Sequence, residues 1–536
     1  MNPSAPTNTD PTAAPPEAVV LARASTDGEN PVKSPARRAR GDKDFHSSVR
    51  WSALSKYGAQ GVQFIVSIVL ARLLAPEYFG LLGMATVVTG FLRTFRNLGF
   101  TSAIVQRKEV TQELLSTLFW VNMALCVVVG VVMMAIAPLA GSMYGEPLVT
   151  WIIIALTPTL LFTGLMTIPA AMLQREMAFR DLAVREIGGV IVSGATGVVL
   201  ALAGWGVWAL VAASLAGAFA QTVLICWLEP FRPGLVWDSQ GLKESLSFGL
   251  NITGFRIFNY FARNADNLII GLFLGPAALG FYALAYRLML LPRDSVSAVV
   301  TRVLFPKLSR SQGDDEQLAD KYLRACGAIA CLTFPLMTAL AILADPFVRV
   351  VLGEKWLPAA PLLMILAPIG MLHSIQTTVG QLYLAKGRSG LMFVWGVISS
   401  MIFVASFLIG IPWGVKGVAC SYAVANLLLL YPCLHIPFGL VRSLSVGRFM
   451  RSLLPHAIVI GVMAAAMHVV TVVMDQAGID GALPILLVSI LVGSVTYVAI
   501  VVVVRPVGFT DVVSALSPMR YSLLGVGSDS KVASGK

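Results

Sequence analysis

The sequence is poor in charge. Only 12% of its 536 residues are Asp, Glu, Lys or Arg, and 57% are hydrophobic, whereas a soluble domain is about half apolar and about a quarter charged. Because so few polar side chains cannot cover a water-exposed surface, the composition excludes an ordinary soluble enzyme. Apolar runs of roughly 20 residues recur from Trp51 to Arg505, each long enough to cross a bilayer as a helix.

Motifs of metal, redox and nucleotide chemistry are also absent. The six cysteines form no C-x-x-C pair, and the sequence has no G-x-x-x-x-G-K-[ST], no H-E-x-x-H and no serine-nucleophile elbow. We therefore expect no metal, no cofactor and no enzymatic activity. The formal net charge of +11 comes mainly from short loops beside apolar runs, where topology and lipid headgroups account for it, so nucleic acid is not an expected partner.

The apolar runs predict an all-α, multi-pass membrane protein with about fourteen transmembrane helices. Strand-length alternation is missing from the sequence, so helices and not a barrel would satisfy the backbone. Seventeen Lys and Arg residues lie in the loops predicted on the N-terminal side, and three, Arg349, Lys355 and Lys416, lie in the opposite loops. Because cytoplasmic loops carry the excess of positive charge, both termini are predicted to be cytoplasmic.

A motif that joins two apolar runs occurs twice, 200 positions apart. Leu74–Gly80 reads LAPEYFG and Leu274–Gly280 reads LGPAALG, while Trp205–Val207 similarly returns as Trp413–Val415. Six spans separate the copies, which predicts two parallel six-helix repeats with the same orientation. The expected units are a disordered cytoplasmic tail at 1–45, lobes at 46–230 and 231–440, two further transmembrane helices at 441–506, and a cytoplasmic C-terminal tail at 507–536.

Charged residues inside apolar runs mark the candidate site, because a charge at the bilayer centre costs at least about 2.5–3.5 kcal/mol. Arg93 lies near the middle of the second predicted span, and Arg263 and Asp266 lie in the seventh. Spans one, two, seven and eight are equivalent pairs of the two halves, so their polar faces are expected to meet at a central cavity. The cations expected there are Lys56, Arg93, Arg96, Arg256, Arg263 and Arg287.

A cationic cavity selects anions, since guanidinium groups bind phosphate bidentately and stay charged when partly desolvated. Among membrane cargos it would suit a lipid-linked pyrophosphate or an acidic sugar. Simpler interpretations stay open: Arg263 and Asp266 could form a structural ion pair, and Arg96 and Arg256 could reach the cytoplasmic interface. Asp266 could instead couple transport to protons, as intramembrane acids do in proton relays.

Six stretches have a familiar sequence: Arg50–Leu54, Leu70–Gly80, Asn97–Phe100, Asn264–Gly275, Gly280–Tyr282 and Arg302–Ser309. They resemble Wzx-type polysaccharide flippases, in the colanic-acid-exporter-like branch of the multidrug/oligosaccharidyl-lipid/polysaccharide (MOP) superfamily. The resemblance implies two lobes in a V shape that work by alternating access in the bacterial inner membrane. It also implies that undecaprenyl-pyrophosphate-linked repeat units are flipped from the cytoplasmic to the periplasmic leaflet, with polymerase and copolymerase proteins as partners. Of the site residues, the resemblance carries over only Asp266 and the arginines of span seven.

Three other functions are compatible with a polytopic membrane protein. A drug antiporter of the same superfamily would carry cationic cargo and would need an acidic cavity. A polysaccharide polymerase or glycosyltransferase would need catalytic carboxylates, usually with a sizeable external loop, and the predicted outer loops are short. A structural scaffold would not require buried charge in equivalent helices. The number of interior cations therefore favours a transporter of anionic cargo.

Overall fold

The computed structural model describes residues 45–96, 100–107, 110–311, 313–479 and 481–514, whose regular structure is entirely helical. Eleven stretches are long and apolar enough to cross a membrane. The described part of the chain is thus an all-α, multi-pass membrane protein, which confirms the predicted fold class. The α-helices are α1 (Phe45–Leu73), α2 (Pro76–Arg96), α3 (Phe100–Gln106), α4 (Gln112–Tyr144), α5 (Pro147–Leu156), α6 (Pro158–Arg175), α7 (Phe179–Leu202), α8 (Val207–Leu228), α9 (Ser239–Ser309), α10 (Asp315–Ile342), α11 (Ala344–Phe347), α12 (Ala360–Ala385), α13 (Ser389–Gly410), α14 (Gly414–Phe438), α15 (Val446–Gln476) and α16 (Ala482–Val504).

Four of the eleven apolar stretches contain more than one helical segment. Pro147–Arg175 contains α5 and α6, and Glu354–Ala385 contains a short 3-10 helix and α12. Ile257–Ser297 includes a break at Gly275, which divides α9 into two limbs, and Ser389–Phe438 contains both α13 and α14. Gly275 has φ 81°, a conformation that glycine adopts readily because it has no Cβ. The total of fourteen spans stays a prediction, because length and composition alone define these stretches.

Small residues on α7 let this helix pack closely against its neighbours. A Cβ on Gly194 would press on Val66 of α1, and a Cβ on Gly197 would approach Ala213 of α8 to 3.1 Å. Membrane helices associate through such close packing, since lipid tails are as apolar as the side chains. The glycines of α7 therefore allow α1 and α8 to pack closely against this helix.

The two copies of the repeated motif meet each other in the folded chain. Pro76 begins α2, and Pro276 directly follows the break in α9. A Cβ on Gly80 would overlap the carbonyl of Pro276, and a Cβ on Gly280 would overlap the carbonyl of Pro76. Each glycine thus packs on the proline of the other copy, as expected for two elements related by a local two-fold axis.

Trp356 makes a second contact between the halves at the end of α1. This fully buried indole donates a hydrogen bond of 2.7 Å to the Ala71 carbonyl. Its ring packs edge-on against Phe79 of α2 and Phe281 of α9, with centroid distances of 5.3 and 5.9 Å. One side chain from the second half therefore contacts both helices that flank the first copy of the motif.

Arg72 strengthens the same contact. Its Nε donates 2.8 Å to the Val351 carbonyl, and its guanidinium also donates to the Val350 carbonyl. Lys355 Nζ in turn donates 2.7 Å to the Arg72 carbonyl. The last carbonyls of a helix have no partner within it, so the second half of the chain supplies donors for the end of α1.

Helix α15 is joined to α10 by charged side chains. Arg448 of α15 forms ion pairs of 2.8 Å with Glu316 and Asp320 of α10. The predicted boundaries near 230 and 440 fall between helices, and the division into lobes stays a prediction. Most of both predicted tails, residues 1–44 and 515–536, lies outside the described residues.

Gly80→Ala tests whether the close approach of the repeats holds the halves together. The added methyl would overlap the Pro276 carbonyl, and overpacking costs about 1–3 kcal/mol. We expect a lower melting temperature for the purified protein. The matched control is Gly461→Ala on α15, where a Cβ would meet no atom within 4 Å. Equal melting temperatures of the two variants would show that the contact is not important for stability.

Candidate functional site

Arg93 is held between two helices of the first half. This side chain of α2 is half-buried, and its Nη2 donates 2.7 Å to the Thr159 hydroxyl. Thr159 lies in the first turn of α6, just after Pro158, whose fixed φ suits the first position of a helix. The Thr159 hydroxyl donates 2.6 Å to the Leu156 carbonyl, so it is oriented to accept from the guanidinium.

Tyr260 brings the first limb of α9 to the same position. Its hydroxyl donates 2.7 Å to the Val87 carbonyl of α2, and its ring fills the space above Gly90. The hydroxyl is also close enough to interact electrostatically with Arg93. Arg93 therefore lies beside the contact between α2 and the first limb of α9, and the central cavity stays a prediction.

Asp266 and Arg263 do not form the ion pair that their spacing allows. Asp266 is 4% exposed, and its carboxylate accepts hydrogen bonds from the Tyr282 hydroxyl at 3.2 Å and the Asn267 backbone amide at 2.7 Å. Arg263 is exposed, and within the described chain no ion pair joins it to Asp266. Three residues apart, Arg263 and Asp266 start about 60° from each other around α9, but the Asp266 carboxylate is buried against Tyr282 while the Arg263 side chain is exposed.

A chain of buried polar and aromatic residues continues from Asp266 through the second half. Tyr282 stacks on Tyr286 at 5.7 Å, and Tyr286 lies 6.5 Å from the ring of Tyr422 on α14. The network ends at His373 on α12. Its Nε2 lies 3.3 Å from the Tyr422 hydroxyl and 2.8 Å from the Asn426 side-chain oxygen. Sequence reasoning missed Tyr422 and Asn426, whose only signal is a spacing of four on an apolar helix.

The remaining predicted cations are only partly placed. Arg287 is exposed on the second limb of α9. Lys56, Arg96 and Arg256 belong to α1, α2 and α9, but their side chains lie outside the described residues. The structure thus places Arg93 beside Tyr260 and leaves Arg263 exposed one turn further along α9, and the joint site of all six cations stays a prediction.

The family model for polysaccharide biosynthesis proteins (Polysacc_synt_3) matches residues 69–361, more than half of the chain. The chain belongs to this family. The lipopolysaccharide biosynthesis protein WzxC of Escherichia coli (strain K12) is 29% identical over 372 residues, which cover 68% of this chain and 74% of WzxC. The teichuronic acid biosynthesis protein TuaB of Bacillus subtilis (strain 168) is 27% identical over 390 residues, covering 72% of this chain and 80% of TuaB.

Solved structures share the fold of this family member. The lipid II flippase MurJ in an inward closed conformation aligns with a TM-score of 0.68 and 15% identity, covering 89% of this chain and 99% of MurJ. An inward-facing multidrug resistance MATE transporter of the MOP superfamily aligns with a TM-score of 0.56 and 16% identity, covering 70% and 93%. Together with the family match, these findings confirm the resemblance to Wzx-type members of the MOP superfamily.

Tyr282→Phe tests whether the buried network stabilises the second half. The change removes the hydroxyl donor to Asp266, and a buried acceptor that loses a partner costs about 1–3 kcal/mol. We expect a lower melting temperature than that of the wild type. Tyr431→Phe removes the same hydroxyl from a residue that is 60% exposed and should have little effect. A wild-type melting temperature for Tyr282→Phe would contradict a stabilising role of this hydrogen bond.

Proposed function

We propose that this protein flips lipid-linked oligosaccharides in the bacterial inner membrane. Undecaprenyl-pyrophosphate-linked repeat units would pass from the cytoplasmic to the periplasmic leaflet and supply exopolysaccharide, capsule or lipopolysaccharide biosynthesis. The family match and the named relatives support this function. The structural observation that carries it is a half-buried arginine, Arg93, beside the junction of the two halves of a multi-pass membrane protein.

The proposed cargo site uses arginine for the anionic part of the lipid. Arg93 and the exposed Arg263 are proposed to bind it together, since a guanidinium can bind a pyrophosphate with two parallel hydrogen bonds. Arg287 is proposed to contribute from the second limb of α9. Lys56 on α1, Arg96 on α2 and Arg256 on α9 are proposed to contribute as well. A cationic drug would be repelled by these charges, so a drug antiporter is less well supported.

Asp266 is proposed to exchange a proton during the cycle. Its carboxylate is buried and accepts from Tyr282, and no ion pair with Arg263 neutralises it in the described chain. Protonation would remove a buried charge and change the hydrogen bonds between the two limbs of α9. This proposal assigns coupling to the buried Asp266 and cargo binding to the arginines.

Alternating access would require two sets of contacts to open in turn. With both termini in the cytoplasm, the contacts of Trp356 and Arg72 lie on the periplasmic side and close it. On the cytoplasmic side, the Tyr57 hydroxyl of α1 donates 3.1 Å to the Ser295 carbonyl of α9. The lipid tail is proposed to stay in the bilayer through a gap between these two helices, which would need this hydrogen bond to break. Polymerase and copolymerase proteins are the proposed partners downstream.

Deletion of the gene tests the function directly. We expect one complete repeat unit to accumulate on undecaprenyl pyrophosphate, because synthesis continues while transfer stops, and we expect the secreted polymer to be lost. Mass spectrometry of lipid-linked glycans and analysis of secreted polysaccharide measure both. Unchanged glycans together with new sensitivity to cationic drugs would instead support an antiporter.

Arg263→Ala tests the proposed cargo site in the deletion strain. A charge-assisted hydrogen bond contributes about 1.5–3 kcal/mol, so export should fall at least about tenfold at an equal amount of membrane-inserted protein. The control is Arg451→Ala, which removes an exposed arginine near the start of α15 and should leave export unchanged. Normal export by Arg263→Ala would remove this residue from the site.

A further inference from the structure

The first half of the chain contains a polar cavity that the proposed cation site does not use. It has a volume of about 180 Å³ and lies between α1, α6, α7 and α8. None of its lining residues is charged. The residues that matter for its chemistry are Gln63, Thr163, Ser193, Ser214, Gly217 and Gln221.

The polar side chains of this cavity have unused hydrogen-bonding capacity. In the described chain, the carboxamides of Gln63 and Gln221 and the hydroxyl of Ser193 form no hydrogen bond to another residue. The Ser214 hydroxyl donates 3.0 Å to the Leu210 carbonyl of its own helix, which leaves its oxygen able to accept. A carboxamide both donates and accepts, and polar groups inside a membrane protein are costly when they have no partner. The cavity is therefore suited to a ligand with several hydroxyl groups.

Two glycines create the space. A Cβ on Gly189 would overlap the Gln221 side chain, and a Cβ on Gly217 would lie 2.8 Å from the Ser193 Cβ. Any larger residue at either position would push a polar side chain into the cavity or displace a helix. The glycines that let α7 pack closely against its neighbours thus also shape a polar recess.

The cavity lies next to Arg93 along one helix. Thr159, which accepts from the Arg93 guanidinium, and Thr163, which lines the cavity, are four residues apart on α6. Residues at this spacing share a helix face and are about 6 Å apart along the axis. A phosphate bound at Arg93 would therefore lie about one helical turn from the cavity wall at Thr163.

We propose that this cavity is a subsite for one uncharged sugar ring, the ring attached to the pyrophosphate. The inference rests on the proposed flippase function and specifies which part of the cargo the first half binds. Sugar hydroxyls can both donate and accept hydrogen bonds, so they complement the carboxamides of Gln63 and Gln221, which can also do both. Because the cavity is smaller than the roughly 300–1,000 Å³ pockets of drug-sized ligands, it holds one ring and not a whole repeat unit.

Binding to the purified full-length protein, measured by native mass spectrometry, tests the subsite. The probes are bare undecaprenyl pyrophosphate and the same lipid carrying one glucose, galactose or N-acetylglucosamine. The wild type should bind at least one glycosylated probe about tenfold more tightly than the bare lipid, as one or two net hydrogen bonds would give. Gln221→Leu should lose most of this preference while binding the bare lipid as before.

Two further variants separate the subsite from folding and from the cation site. Gln63→Leu changes the opposite wall and should lose the same preference, while Gln381→Leu removes a carboxamide from α12, outside the cavity, and should keep it. Arg93→Gln should weaken the binding of bare and glycosylated lipid alike. If both cavity variants keep the wild-type preference, or if the wild type has no preference, the proposal of a sugar subsite is wrong. If the wild type binds no probe at all, the proposed function itself fails.

Discussion

The reciprocal contact between the two copies of the repeated motif is the constraint on which the rest of the structure depends. Gly80 lies against the carbonyl of Pro276, and Gly280 lies against that of Pro76, so two helix starts approach as closely as backbones allow. Lipid offers no hydrophobic drive for helices to associate, and only residues without side chains permit this approach. From this crossing α2 runs on toward Arg93 alongside the first limb of α9, which leads from Tyr260 to the crossing. That arrangement brings Tyr260 to Arg93 and sets the depth at which the two halves meet.

Charge is distributed within the bundle according to what each region can neutralise. The Arg93 guanidinium is held by a threonine hydroxyl, and the Asp266 carboxylate is held by a tyrosine hydroxyl. Neither group depends on an ion pair with the other, so cations at the junction can serve an anionic cargo while the acid stays buried in the second half. The cavity lined by Gln63 and Gln221 adds a third, uncharged environment. A phosphorylated glycolipid presents the same sequence of chemical groups, from charged phosphate to neutral sugar.

The sequence was a good guide to features that follow from composition and repetition. Low charge and long apolar runs predicted the helical membrane fold, and the repeated motif, LAPEYFG in one copy and LGPAALG in the other, predicted two related halves. It could not show that the two copies touch, because a repeat specifies similarity and not contact. The spacing of Arg263 and Asp266 allowed an ion pair, but packing against Tyr282 turned the acid inward. The polar cavity was equally hidden, since it arises where glycines on α7 and α8 leave room between side chains from different helices.

The donors at the end of α1 also have a consequence for how the protein is made. The donor to the Ala71 carbonyl is the indole of Trp356, which lies 285 residues further along the chain. When α1 first enters the bilayer, that indole has not yet been synthesised, so water, lipid headgroups or the insertion machinery must serve the end of the helix. The two halves can therefore insert one after the other, and their docking is a late step in biogenesis. A ribosome that stalls before residue 356 would leave a first half that is inserted but has no partner to close against.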